Sequence, residues 1–336
     1  MLQFVSEWAF NTIGITGPII LFLIGFFALI KGGDWFVDGS VSIAKKLHMP
    51  ELLIGATIVS IGTTLPEVMV SSTSAIKGIG DMAYGNAIGS VICNTSLIAA
   101  ITVAVRPAAV NKKALTLPVV CFFIAAVLFA AVAYIAPHFF TRTVGVIFLL
   151  MFAAYMVITV IHAKKHPDEA EDDEEQVKIL STGKSLAALI GGAALIAVGA
   201  NFLVDSGTII AEQIGIPDTV IALTFVALGT SLPELVTAIT SLVKGHSALS
   251  LGNVIGANIF NIVLVLGASV TIAPFSLPED KLIAGYNASL AVDIPVMFLV
   301  MGILTVPALL TGKLKRWQGV TLLCIYAAFV AFQFLG

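Results

Sequence analysis

Gly62-Thr63-Thr64-Leu65-Pro66-Glu67 and, 167 residues further on, Gly229-Thr230-Ser231-Leu232-Pro233-Glu234 each set a carboxylate near the middle of a long apolar run. The surroundings of the two hexapeptides decide what the chain is. Of its 336 residues, 58% are apolar and 11% charged, with 17 basic and 20 acidic side chains. A soluble domain carries about twice that share of charge, so a soluble enzyme, a disordered chain and a nucleic-acid binder are all excluded as readings. With about 20 apolar residues per crossing, the chain has room for roughly ten spanning helices. The expected fold is an all-α membrane protein, with spans near 18–44, 50–76, 83–105, 114–135, 141–162, 184–212, 217–243, 249–272, 286–310 and 316–335. The bilayer is therefore its solvent; the sequence leaves the oligomeric state open, with a monomer as one reading.

The acidic segment His166–Glu175 breaks this pattern and reads as a solvated linker. It divides the chain into a first five-helix half, 1–162, a linker, 163–183, and a second half, 184–336. The N-terminus lacks a basic stretch and carries Glu7, which argues against a cleaved signal. Cys93, Cys121 and Cys324 stand apart without a CxxC or Cys/His cluster, so neither a disulfide framework nor a zinc site is expected. The five histidines fall in or beside loops.

Orientation follows from Lys and Arg. Thirteen of them lie in loops on one side: Lys45, Lys46, Arg106, Lys112, Lys113, Lys164, Lys165, Lys178, Lys184, Lys244, Lys313, Lys315 and Arg316. Lys77, Arg142 and Lys281 lie on the other. The rich side reads as cytoplasmic, which puts the linker inside and both termini outside, in a cell (inner) membrane.

The hexapeptides belong to a longer internal repeat. At the same offset Gly85-Asn86-Ala-Ile-Gly89 matches Gly252-Asn253-Val-Ile-Gly256, Asn94 matches Asn261, Asp38 matches Asp205, and Lys77-Gly78 matches Lys244-Gly245. Five spans per half is an odd number, so the second half enters the membrane from the opposite face. Lys77 and Lys244 accordingly fall on opposite sides. Inverted halves around a midplane site are an architecture of secondary transporters.

The chemistry of the repeat points to a cation. A carboxylate deep in hydrocarbon has to be neutralised by a proton, a partner or a bound ion. Lys31 is the exception to an otherwise cation-free set of span centres, and it is placed to pair with Asp34 one turn along. Two neutral, hydrogen-bonded acids would be the plain structural reading of Glu67 and Glu234. Their equivalence in a repeat favours a shared site. Pro66 and Pro233 have no N–H, which deprives the carbonyls of Gly62 and Gly229 of helical donors. Thr63, Thr64, Thr230 and Ser231 add hydroxyls, and Asn94 and Asn261 add amides. Such all-oxygen sets suit Ca²⁺ and Na⁺. The GxxxG pairs are expected to pack helices closely, Asn86 and Asn253 to cap helices or line an ion path, and Asp34, Asp38, Asp205 and Asp293 to lie at interfaces or vestibules.

Together these motifs resemble the two alpha-repeats of the calcium/cation antiporter superfamily, the sodium/calcium exchangers and their prokaryotic relatives. The resemblance covers roughly 32–101 and 199–268. It implies Ca²⁺ exchanged for Na⁺ at one central site by alternating access, with the ions as cargo and no cofactor. Glu67 and Glu234 would coordinate, the Thr63 and Thr230 region would supply oxygens, and Ser90 would stand one turn before Asn94. The first and sixth helices would slide across the other eight. The sequence departs from that pattern at Asn261, often an aspartate, and at Ala257, where a hydroxyl often sits. Gly89 and Gly256 occupy positions where the proton-coupled branch typically carries an acid. A Ca²⁺/H⁺ antiporter is the nearest alternative, then a cation channel. An intramembrane hydrolase lacks its nucleophile–base or metal motif, so the chain is not expected to be an enzyme.

Overall fold

The computed structural model describes residues 2–47, 49–135, 139–165, 180–214, 227–278, 282–283 and 285–335. The linker at 166–175 and the first part of the span expected at 217–243 lie outside them. The chain runs through α1 (Leu2–Ile13), α2 (Thr16–Leu47), α3 (Glu51–Ile76), α4 (Gly80–Val105), α5 (Lys112–Ile135) and α6 (Arg142–Lys165). It continues through α7 (Thr182–Gln213), the short α8 (Ala227–Thr230), α9 (Leu232–Val243), α10 (Ser247–Ile272), α11 (Ser289–Thr311) and α12 (Arg316–Leu335). Among the described residues eight helices are long and apolar enough to cross a membrane. The chain is a helical membrane protein.

The expected spans match these helices within a few residues, with two differences. Leu2–Ile13 forms a helix that the hydropathy reading left unassigned. It lies against α2 and α7, with Ala9 buried under Gly17 and the Ser6 hydroxyl 3.4 Å from that of Ser206. The expected span at 217–243 is interrupted at Ser231 before α9 begins, with Pro233 in its first turn. In α3, by contrast, Pro66 stands inside an unbroken helix. Two small antiparallel ribbons complete the fold, Phe139–Phe140 with Phe275–Ser276 and Leu282–Ile283 with Tyr286–Asn287.

Local structure echoes the sequence repeat. The α3–α4 and α9–α10 hairpins both close on a glycine in the left-handed region, Gly78 at φ 77° and Gly245 at φ 88°. A Cβ is disfavoured there, which explains glycine at both positions. Both α4 and α10 widen into π-helical turns, Asn94–Ala99 and Asn261–Leu266. Such turns splay side chains out of regular register and often mark functional positions. A further π turn, Gly55–Val59, lies in α3, where the Tyr155 hydroxyl of α6 donates to the Ala56 carbonyl (2.9 Å).

Two layers of packing follow. α2 and α7 make their main contact with one another. Gly25, Gly32 and Gly39 of α2 abut the α7 backbone, and Gly192 and Gly199 of α7 abut that of α2. In lipid, small residues permit this approach and dispersion rewards it. The other layer interlocks the two hairpins: α3 runs against α10, where Gly252 meets the Leu52 carbonyl and Gly256 meets Ala56. The GxxxG pair of α10 therefore packs closely, as expected. The pair in α4 does not, since a Cβ at Gly85 or Gly89 would meet nothing within 4 Å. The α10 glycines face the backbone of α3, whereas the α4 glycines face open space.

The α2–α7 contact is testable. A Cβ on Gly32 would sit 2.8 Å from the Ile196 amide nitrogen and 2.9 Å from the Gly192 oxygen, whereas one on Gly191 would meet nothing. Gly32→Ala is expected to lower stability by about 1–3 kcal/mol through overpacking. Gly191→Ala is expected to be neutral or to raise it by about 0.5–1 kcal/mol, the helical preference of Ala over Gly. Thermal melting of the detergent-solubilised protein distinguishes the two.

Candidate cation site

Glu67 lies in the middle of α3 and Glu234 in the first turn of α9, and both are fully buried. Neither carboxylate meets a hydrogen-bond donor at bonding geometry, and among the described residues neither forms an ion pair. The two acids are near enough to repel each other, and the Thr63 hydroxyl lies beside Glu234. Asn94 and Asn261, each the first residue of its π turn, are also fully buried with both amide atoms unpaired. The Thr64 and Ser231 hydroxyls share that condition.

Helix packing explains why these groups meet. α3 lies against the Asn261–Leu266 turn, and α9 lies against the Asn94–Ala99 turn. Each acid-bearing helix thus faces the asparagine of the other half. Buried polar atoms are ordinarily paired, so a dense set of unpaired ones is a feature to be explained. Six of the nine residues singled out in the sequence contribute to it: Glu67, Glu234, Thr64, Ser231, Asn94 and Asn261.

The remaining three behave differently. Thr63 donates to Asn253 Oδ1 (3.2 Å) and Thr230 donates to Asn86 Oδ1 (3.2 Å). Ser90 is buried on α4 one turn before Asn94. The threonine–asparagine bonds replace the helix-capping reading of Asn86 and Asn253, because both stand inside helices and neither caps an end. Each ties the motif threonine of the other half, and Asn86 also donates to the Glu67 carbonyl (3.3 Å) and to Ser71 Oγ (2.8 Å). The Ser60 hydroxyl reaches the Asn253 main-chain carbonyl (2.9 Å). Their shared offset of 167 residues was the available signal, but which residue each would bond was not legible.

Cys93, given no role in the sequence, also borders the site. The Tyr326 hydroxyl lies 3.7 Å from its sulfur, and Ser231 and both glutamates are its neighbours. A small cleft runs between Pro66 and Pro233 on one side and Phe36, Ala193 and Ile196 of α2 and α7 on the other. Towards the end of α9, Lys244 bridges Asp38 (2.7 Å) and Asp34 (3.4 Å). Asp34 also keeps its expected partner Lys31 at 3.9 Å.

The donor set is oxygen from carboxylates, amides and hydroxyls. Among the described residues no group of three His, Cys, Asp or Glu side chains gathers at one point, so an ion here would rest on two carboxylates together with amides and hydroxyls. Hard cations match such a set, and one binding between two otherwise unpaired carboxylates would offset their desolvation.

Comparison with known proteins agrees with this chemistry. The family model described as "Sodium/calcium exchanger protein" matches residues 17–161 and 184–335. The sodium/calcium exchanger MaX1 of Methanosarcina acetivorans is 32% identical over 355 residues, covering 95% of this chain and 99% of its own. The inner membrane protein YrbG of Escherichia coli is 34% identical over 281 residues, covering 82% of this chain and 86% of its own. Among solved structures, the sodium-calcium exchanger NCX_Mj soaked with 10 mM Na⁺ and zero Ca²⁺ superimposes with a TM-score of 0.79 at 32% identity, covering 94% of this chain and 99% of that one. The chain belongs to the sodium/calcium exchanger protein family.

Proposed function

We propose that this protein is a secondary antiporter that exchanges Ca²⁺ for Na⁺ by alternating access at a site shared by Glu67 and Glu234. The observation that carries the reading is the pair of fully buried, unpaired carboxylates, one from each repeat, on helices that contact the π turns headed by the equally buried and unpaired Asn94 and Asn261. Thr63, Thr64, Thr230, Ser231, Asn94, Asn261 and Ser90 complete the proposed ligand set. In this reading the molecule has ten spans in two inverted five-helix halves, 1–162 and 184–336, joined by the cytoplasmic linker at 163–183. It sits in the inner membrane with both termini outside and needs no cofactor, since the ions are cargo.

Coupling follows from charge. Two carboxylates are balanced by one Ca²⁺ or two Na⁺, and a third Na⁺ would leave a net positive charge and make exchange electrogenic. Either load cancels the charge that opposes carrying the site through a low-dielectric barrier, and the empty, doubly negative site resists the same movement. Ions of either kind therefore permit the switch, and their competition for one pocket enforces exchange. The intimate α2–α7 pair, which meets the motif helices partly across the cleft at Pro66 and Pro233 and partly where Gly33 packs on Val236 and Thr240, is the body proposed to slide.

Sodium-loaded vesicles containing the protein are expected to take up ⁴⁵Ca²⁺ in proportion to the outward Na⁺ gradient. Uptake indifferent to that gradient, or driven by a pH gradient in its place, would overturn the coupling. Glu67→Gln and Glu234→Gln are each expected to reduce exchange about a hundredfold or more, since each removes half the charge that binds the ion in a buried site. Asn261→Asp adds a third negative charge and should raise affinity for Ca²⁺ relative to Na⁺ by about an order of magnitude. Competition of Na⁺ against ⁴⁵Ca²⁺ binding to solubilised protein measures that ratio.

A further inference from the structure

Buried hydroxyls in this protein mostly return their hydrogen to their own helix. Ser40 bonds the Phe36 carbonyl (2.6 Å), Thr95 that of Val91 (2.8 Å), Thr159 that of Tyr155 (2.8 Å) and Ser269 that of Val265 (2.8 Å). Thr237, Ser241 and Ser250 are equally buried and have no partner. An unmet buried hydroxyl carries a desolvation penalty without compensation. Three close together in sequence and space therefore need a reason.

Their placement supplies one. Ser231, Glu234, Thr237 and Ser241 follow one another at steps of three, three and four, which sets them on one face of α9. The helical rise places Thr237 about 4.5 Å and Ser241 about 10 Å beyond Glu234 along the axis. This file ends at the α9–α10 turn, where the His246 amide donates to the Ser241 carbonyl (2.8 Å). Ser250 stands in the first turn of α10, just past that turn. Lys244 beside the turn has its charge matched by Asp34 and Asp38. The repeat counterparts of Thr237 and Ser250 are the apolar Val70 and Ala83; in that hairpin Ser71 is tied to the Ala83 carbonyl (3.3 Å) and Asn86, while the unpaired buried hydroxyls of Ser72 and Tyr84 stand where the second half has Ile239 and Leu251. Among the described residues the second hairpin is the one whose unpaired hydroxyls line up at steps of three and four from its acid, whereas Ser72 lies five residues from Glu67 and off its face.

We propose that Thr237, Ser241 and Ser250 line the route between the Glu67–Glu234 pocket and the lysine-rich face, a route closed in this conformation. When it opens, their oxygens stand in for part of the hydration shell of a departing Ca²⁺ or Na⁺. This rests on the exchange reading above and adds to it the residues of one access path.

The variants Thr237→Val and Ser241→Ala test it in reconstituted vesicles. Sodium-driven ⁴⁵Ca²⁺ turnover at saturating ion concentrations should fall about tenfold, as for loss of a bond to a charged group. Equilibrium Ca²⁺ binding to the solubilised variants, measured by calorimetry, should stay near the wild-type value. Their melting temperature should be unchanged or higher, because an unpaired hydroxyl has been removed. Ser74→Ala, the counterpart of Ser241 in the first hairpin, should turn over like the wild type. Wild-type turnover in both file variants overturns the proposal, and so does a loss of Ca²⁺ binding in step with turnover, which would move the residues into the pocket. As a second measurement, Ser241→Cys should react with a small cationic thiosulfonate, beyond the labelling of the unsubstituted protein, while the carrier is cycling. No added labelling in any ion condition overturns the proposal. Failure of the exchange reading itself would show separately, as wild-type vesicles that ignore the Na⁺ gradient.

Discussion

Everything in this molecule is arranged around the burial of two carboxylates without a cation of the protein's own. A lone acid in hydrocarbon is expensive, and a second beside it adds repulsion. Ordinary proteins answer with an arginine or a lysine. Here the described lysines and arginines stay at the helix ends, where Lys244 pairs with Asp34 and Asp38 far along α9 from Glu234, and the exception, Lys31 within α2, is paired with Asp34. The middle of the bundle is left electrostatically incomplete, and a metal ion completes the proposed pocket.

Such a site must be held rigidly while unpaired, and the helix crossings do this. Thr63 bonds Asn253, and Thr230 bonds Asn86, so each motif is braced by the opposite hairpin. Glycines let α10 lie against the backbone of α3 at Leu52 and Ala56. The π turns at Asn94 and Asn261 present their first residues at the crossings. Removing either brace would loosen the acids without touching them.

The α2–α7 pair is the complement to this rigid layer. Glycine-to-backbone contacts make it one body, and it meets the motif helices in part across a cleft lined by Phe36, Ala193 and Ile196 against two prolines and in part directly, at Gly33 on Val236 and Thr240 and at the Lys244 ion pairs. The apolar cleft can shift at little cost, whereas the Lys244 pairs with Asp34 and Asp38 must part for the two bodies to slide. The latch at Lys244 and the unpaired hydroxyls along α9 then give the lysine-rich end of the bundle a character unlike the other end.

The sequence alone determined the membrane class, most span positions, the 167-residue repeat and the identity of the two acids. These are properties of composition and local pattern, and a charge in an apolar run is conspicuous wherever it folds. Tertiary structure decided the threonine–asparagine bonds, the different fates of the two GxxxG pairs, the docking of Leu2–Ile13, the second partner of Asp34 and the place of Cys93 beside the pocket. Each depends on how a helix is rotated about its axis. In water, amphipathic periodicity would reveal that rotation, but a helix facing lipid on one side and protein on the other is apolar all round. The information then lies in contacts between residues far apart in the chain, and those exist only once it has folded.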